Sequence, residues 1–120
     1  MLIKDIADVK EFAAGDDSRL RELLHPDRDG VALSYSLAQA RVTPGRSTLP
    51  HRLTSSEVYY IEEGEGLMHI DDEDMPVHVG HAIVIPPNAV QWIENRGEAD
   101  LVFLCIVDPA WQAEQEEVVK

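Results

Sequence analysis

The chain of 120 residues is predicted to fold as one all-β domain, a sandwich or barrel of antiparallel strands. From Val31 onward, short runs of β-branched and aromatic residues follow one another at even spacing, each bounded by Gly, Pro, Asn or Asp. None of the intervening segments resembles a helix long enough to connect parallel strands. The chain length also leaves room for a single hydrophobic core.

The first 30 residues, here called the N-terminal arm, have a different pattern from the rest. Asp8 and Glu11 have the spacing of a capping box, which predicts a short helical turn near Asp8–Ala13. Ser18–Leu24 is compatible with either a helix or a strand. Its residues are good helix formers, but Leu20, Glu22 and Leu24 alternate with Arg19, Arg21 and Leu23, as a strand would also require. The sequence Asp-Arg-Asp-Gly at 27–30 predicts a turn.

The barrel is predicted to occupy residues 31–110. Its first strand is indicated by Leu33, Tyr35 and Leu37, which alternate with serines before Pro44 and Gly45 end the run. The later predicted strands are Glu57–Glu62, Leu67–Ile70, Pro76–Val79, Ala82–Ile85, Gln91–Glu94 and Leu101–Val107. Residues 111–120 form an acidic C-terminal tail that is expected to fray into solvent.

Charge and cysteine content restrict the partners and the compartment. The chain carries 10 Lys and Arg against 23 Asp and Glu, a formal net charge of −13 that disfavours binding to nucleic acid or to anionic membranes. Cys105 is the only cysteine, so no intrachain disulfide is expected. The sequence opens without a signal-peptide pattern, and no apolar run approaches the ~18 residues of a membrane span, so a cytoplasmic protein is expected.

A candidate site follows from strand periodicity. His51, Leu53, Glu57, Tyr59 and Ile61 lie at even offsets, which places their side chains on one face if no bulge intervenes. On the inner face of a barrel, an imidazole and a carboxylate can reach one divalent ion. The alternative is that His51 caps a loop and Glu57 is a solvated strand residue.

Two stretches of the chain resemble the two conserved motifs of the cupin superfamily, whose members are small jelly-roll barrels. The residues that match the first motif are Gly45, His51, Glu57 and Gly64. The residues that match the second motif are Gly80, Pro86 and Asn95. The resemblance extends over about residues 31–107 and implies an all-β cupin barrel, a double-stranded β-helix of the jelly-roll type.

The resemblance also implies a metal site, with departures from the family pattern. Cupins typically hold one divalent ion with three histidines and a glutamate. In this sequence Leu53 occupies the second histidine position and Gln91 the third. The implied metal ligands are therefore His51, Glu57 and Gln91, for one zinc, nickel, iron or manganese ion, and the alternative is that no metal binds. The two-histidine, one-carboxylate set of non-haem iron oxygenases is absent.

The function that the resemblance implies is binding of a divalent metal ion and a small polar ligand, such as a sugar, inside the barrel. Mannose-6-phosphate isomerase of type I is similar in its mixed Gln, His and Glu zinc site, so isomerase chemistry is the preferred enzymatic form. Glu57 and Tyr59 are then the candidate catalytic residues. The alternatives are a metal-free small-molecule-binding module and, disfavoured by the ligand count, a metal-dependent dioxygenase or decarboxylase.

A homodimer is expected through the N-terminal arm. A free sheet edge must be covered or blunted, and small cupins commonly exchange N-terminal strands across that edge. A two-fold arrangement makes such an exchange reciprocal. The alternative is that the arm folds back on its own barrel.

Overall fold

The computed structural model describes residues 1–119, and these form two antiparallel sheets packed face to face. The strands are β1 Phe12–Ala13, β2 Arg19–Leu24, β3 Ser36–Val42, β4 His51–Leu53, β5 Ser56–Glu63, β6 Glu65–Ile70, β7 Glu73–His78, β8 Ala82–Ile85, β9 Gln91–Glu94, β10 Leu101–Asp108 and β11 Glu116–Val118. One sheet has the order β1-β2-β3-β10-β5-β8, and the other has the order β11-β4-β9-β6-β7. The predicted all-β jelly roll is confirmed.

The core lies between the two sheets and is built around the apolar strand β10. Phe103 on β10 pairs with Ala40 on one side and with Ile61 on the other. Ile93 on β9 is fully buried from the opposite sheet. Alternating burial along β9 and β5 gives each strand one core face, which is the pattern the sequence predicted for these segments. Strands β8 and β9 begin and end at the predicted residues.

One glycine of the first motif has a backbone role. Gly64 has a φ of 80° in the turn between β5 and β6, where a side chain is strained. A Cβ at this position would collide with the carbonyl oxygen of Asp100 and lie 3.1 Å from Cα of Leu101. The turn therefore needs glycine for its conformation and for the close approach of β10.

The arm differs from its prediction in local structure. The helical turn lies at Ile6–Asp8 rather than near Asp8–Ala13, because Asp5 caps it by accepting a hydrogen bond from the backbone N–H of Ala7. Residues 18–24, for which the sequence allowed either a helix or a strand, contain strand β2. The turn predicted at 27–30 overlaps a one-turn helix, α1, at Pro26–Asp29. Within residues 1–119, no helix has the length and apolar character needed to cross a membrane.

In the structure the arm lies on its own barrel. Strand β2 pairs with β3 of the same chain, and β1 extends the sheet beyond β2. Glu11 accepts hydrogen bonds from the guanidinium groups of Arg41 and Arg19, and chiefly the Arg41 bond lowers the pKa of Glu11 to about 2. The expected association of two chains through the arm stays a prediction.

The prediction that the tail frays is wrong for residues 116–118. These residues form β11, which pairs antiparallel with β4 and matches Glu116 to Leu53 and Val118 to His51. Without the tail, the backbone of β4 would have an unpaired edge on that side. Pairing with β11 satisfies the hydrogen-bonding groups of this edge. As a result an acidic residue of the tail reaches the inside of the barrel.

Candidate metal centre

A cavity of about 160 Å³ lies between the two sheets. Four residues that the sequence placed on one face, His51, Leu53, Glu57 and Tyr59, all line this cavity. Gln91, which is 1% exposed, pairs in register with His51 on the neighbouring strand. The even spacing of these residues in the sequence therefore indicated one wall of the cavity. The side chain of Glu57 is buried, which excludes the alternative of a solvated Glu57.

Three of the predicted site residues form one hydrogen-bonded chain. The hydroxyl of Tyr59 donates to Oε1 of Gln91 over 2.8 Å, and Nε2 of Gln91 donates to Oε1 of Glu57 over 2.8 Å. Both ends of the Gln91 amide are therefore engaged by neighbouring side chains. This arrangement fixes the position of the Glu57 carboxyl group and orients the tyrosine ring.

Burial makes Glu57 a weak acid. Desolvation raises its pKa from 4.5 to about 8, and the nearby carboxylates of Asp16 and Glu116 add to the increase, while the Gln91 hydrogen bond opposes it. Burial also raises the pKa values of Tyr59 and Cys105, and the proximity of Glu57 contributes to both. Glu57 thus retains a proton near neutral pH and has the chemistry of a general acid.

His51 presents an unused ring nitrogen to the cavity. Its Nδ1 lies 2.7 Å from the carbonyl oxygen of Leu49, which only accepts hydrogen bonds, so Nδ1 carries the hydrogen. The lone pair of a neutral ring is therefore on Nε2. The side chain of His51 is 3% exposed, and Nε2 lies 3.6 Å from Oδ2 of Asp16, beyond hydrogen-bonding distance. A buried histidine whose tautomer is fixed by a hydrogen bond to a backbone carbonyl is typical of a metal ligand.

Asp16 is held against His51 by the loop between β1 and β2. Its Oδ1 accepts hydrogen bonds from the backbone N–H and the hydroxyl of Ser18, at 3.0 and 2.6 Å. Its carbonyl oxygen accepts from the N–H of Leu49, two residues before His51. Oδ1 is therefore occupied by hydrogen bonds, whereas Oδ2 is directed toward His51.

Glu116 completes a cluster of three potential metal ligands. One ligand atom each from Asp16, His51 and Glu116 lies within 4.8 Å of the others. Burial raises the pKa of Glu116, with a further increase from Asp16, whereas His51 and a hydrogen bond from Trp111 lower it. The cluster is assembled from the arm, β4 and β11, three segments that are distant in sequence.

The geometry and the donor types fit a divalent ion. Two ligand atoms at ~2.1 Å from a tetrahedral ion lie about 3.4 Å apart, close to the separation of His51 Nε2 and Asp16 Oδ2. An imidazole with two carboxylates is a donor set used for zinc, iron and manganese. Sequence reasoning missed Asp16 and Glu116. The Asp-x-Ser pattern at 16–18 signals a side-chain-capped turn, but it does not indicate what the turn faces.

The comparison with known families agrees with the fold. The family described as Cupin domain matches residues 38–107 of this sequence. An uncharacterised protein of Methanocaldococcus jannaschii is 43% identical over 114 residues, which cover 93% of this chain and 90% of that protein. An oxalate-binding protein of Thermotoga maritima is 34% identical over 71 residues, 58% of this chain and 59% of that protein. The chain belongs to the cupin family.

Solved structures share the architecture at low sequence identity. A Thermotoga maritima protein described as a predicted oxalate decarboxylase has a TM-score of 0.78 at 22% identity, over 90% of this chain and 99% of that one. The polyketide cyclase RemF of Streptomyces resistomycificus has a TM-score of 0.85 at 23% identity, over 100% of this chain and 86% of that one. These two similarities establish the fold alone.

Proposed function

We propose that this cupin binds one divalent metal ion and a small-molecule ligand in its barrel cavity, with Asp16, His51 and Glu116 as the protein ligands. The observation that carries the proposal is the convergence of these three side chains within 4.8 Å beside the cavity. Three protein ligands leave coordination positions open for a bound molecule, which is the arrangement that catalytic metal sites require. The metal is zinc, nickel, iron or manganese.

The ligand set implied by the family motif is the competing proposal. It assigns the metal to His51, Glu57 and Gln91. Against it, the Gln91 amide is already hydrogen-bonded at both ends. His51 is common to both sets, so variants of the other residues separate them.

Glu57 and Tyr59 are the proposed acid–base residues of the same cavity. A bound divalent ion would supply Lewis-acid polarisation of a ligand oxygen or nitrogen. Glu57 would hold and deliver a proton at its carboxyl group, because its pKa lies near neutrality. Gln91 positions that carboxyl group, and Tyr59 fixes Gln91 through its hydroxyl.

Two alternatives are proposed for what the cavity binds or converts. Isomerase chemistry on a sugar-like ligand depends on the competing ligand set of His51, Glu57 and Gln91. Oxalate binding is supported by the Thermotoga maritima relative that is described as an oxalate-binding protein. A metal-free binding module is the remaining alternative. A cytoplasmic location also stays a prediction.

The test is a metal titration of the full-length protein after treatment with a chelator. Isothermal calorimetry with zinc and manganese is expected to give one ion per chain for the wild type. Asp16→Asn and Glu116→Gln are each expected to lower the affinity at least about tenfold, because even the loss of a residue that hydrogen-bonds to a ligand costs about 10- to 100-fold. Gln91→Leu is expected to retain the metal.

Glu114→Gln is the matched control, because Glu114 lies in the same acidic segment and is exposed. Its affinity is expected to equal that of the wild type. Wild-type protein that takes up no stoichiometric metal would overturn the proposal. Loss of affinity in Gln91→Leu with full affinity in Asp16→Asn and Glu116→Gln would instead support the family ligand set.

A further inference from the structure

The cavity has a cluster of potential metal ligands on one side and a largely apolar wall on the other. Asp16, His51 and Glu116 form the cluster. The wall belongs to the six-stranded sheet and includes the apolar side chains Leu20, Ala38, Ala40, Phe103 and Val107, together with Glu22, Ser36, Glu57 and Tyr59. The volume of about 160 Å³ is close to the ~150 Å³ of an apolar cavity that accommodates benzene. The space therefore suits a molecule the size of a single ring.

Two small side chains create this space. Ala38 and Ala40 lie on the central strand β3, where they alternate with larger residues and face the cavity. Beside them in the same sheet, the rings of Tyr59 and Phe103 pack with centroids 4.4 Å apart at an angle of 39°. Aromatic faces and edges of this kind favour contact with another ring.

The charge of the lining restricts the ligand further. Among the described residues that line the cavity, none is Lys or Arg, whereas four are acidic: Asp16, Glu22, Glu57 and Glu116. Arg28 pairs with Glu22 over 2.8 Å but does not line the cavity. A divalent ion offsets the charges of two ionised carboxylates and leaves no excess positive charge. Burying an anion without a charged partner is costly.

We propose that the ligand of this site is an uncharged single-ring molecule with one nitrogen or oxygen donor. The donor atom reaches the ion held by Asp16, His51 and Glu116, and the ring packs over Ala40 and the neighbouring Tyr59–Phe103 pair. This inference deepens the proposed function and rests on it. Of the ligands considered under the proposed function it disfavours oxalate and phosphorylated sugars, because no Lys or Arg is among the described residues that line the cavity.

The test uses zinc-loaded full-length protein and two probes of equal size. Pyrazole is an uncharged five-membered nitrogen ring at neutral pH, and tetrazole is a closely similar ring that is anionic there. Calorimetric titration is expected to show pyrazole binding at least tenfold more tightly than tetrazole. Coordination to zinc by itself favours the anion, so this order of affinities would come from the cavity. Equal or tighter binding of tetrazole would overturn the inference.

Variants of the apolar wall distinguish the proposed ligand from the proposed metal site. Ala40→Leu fills the cavity and is expected to lower pyrazole affinity at least tenfold, with zinc stoichiometry and affinity unchanged. Ala38→Val tests the same wall with a smaller change in volume if Ala40→Leu fails to fold. Ala82→Leu is the control, since Ala82 is an exposed strand residue outside this cavity.

Each result has a single interpretation. Zinc bound at one ion per chain, with no detectable pyrazole binding, would refute the uncharged-ring ligand and leave the metal function standing. Wild-type protein that does not bind zinc would refute the metal function and the inference together. Pyrazole affinity that is unchanged in folded Ala40→Leu would also overturn the proposed position of the ring.

Discussion

Replacing Glu57 by glutamine tests whether this buried carboxyl group makes the barrel sensitive to pH. Because burial raises the pKa of Glu57 from 4.5 to about 8, the folded protein keeps a proton that the unfolded chain releases. The resulting contribution to stability is fully present below pH 4.5 and is lost as the pH rises toward 8. Between pH 5 and pH 8 the loss amounts to about 3 to 4 kcal/mol of unfolding free energy.

Glu57→Gln removes the titrating group and keeps the oxygen that accepts the hydrogen bond from Gln91. Urea unfolding in the presence of a chelator, measured at pH 5 and pH 8, is expected to show a much smaller loss of stability for the variant. Glu63→Gln, an exposed position on the same strand, is expected to retain the wild-type loss. Parallel pH dependences for wild type and Glu57→Gln would refute the reasoning.

Three further outcomes are expected. Leu53→His should tighten zinc binding about tenfold or more in calorimetry, because residue 53 lines the cavity and pairs with Glu116 on the neighbouring strand. Unchanged affinity would mean that the new imidazole does not reach the ion. Gly64→Ala should destabilise the fold by more than about 2 kcal/mol in urea unfolding, because its Cβ would collide with the Asp100 backbone, and wild-type stability would contradict this. Light scattering of the full chain should report about twice 13.4 kDa. Deletion of the first 25 residues should lower that mass or precipitate the protein, whereas a full-length monomer at high micromolar concentration would contradict the homodimer.

The parts of the fold that the sequence predicted are those governed by local pattern. The runs that became β5 to β10 alternate between a core face and an outer face, and Gly or Pro marks their ends. The same alternation placed His51, Leu53, Glu57 and Tyr59 on one wall, because residues two apart share a face of a strand.

The remainder of the site depends on contacts between distant segments. Glu116 is one of three acidic residues within four positions, and only the register of β11 against β4 selects it over Glu114 and Glu117. Asp16 depends in the same way on the hydrogen bond from Leu49 to its carbonyl oxygen. No short-range pattern encodes either contact. Gln91 was correctly placed near Glu57, but periodicity did not predict that Tyr59 would engage its amide.

Asp16, His51 and Glu116 come from three segments that are far apart in the sequence. An ion held by Asp16, His51 and Glu116 would act as a cross-link that closes two long loops, one on each side of β4. Cross-links of this kind reduce the conformational entropy of the unfolded chain, and longer loops give the larger effect. Binding of the ion would therefore protect the arm and the tail from proteolysis together, although they belong to different sheets.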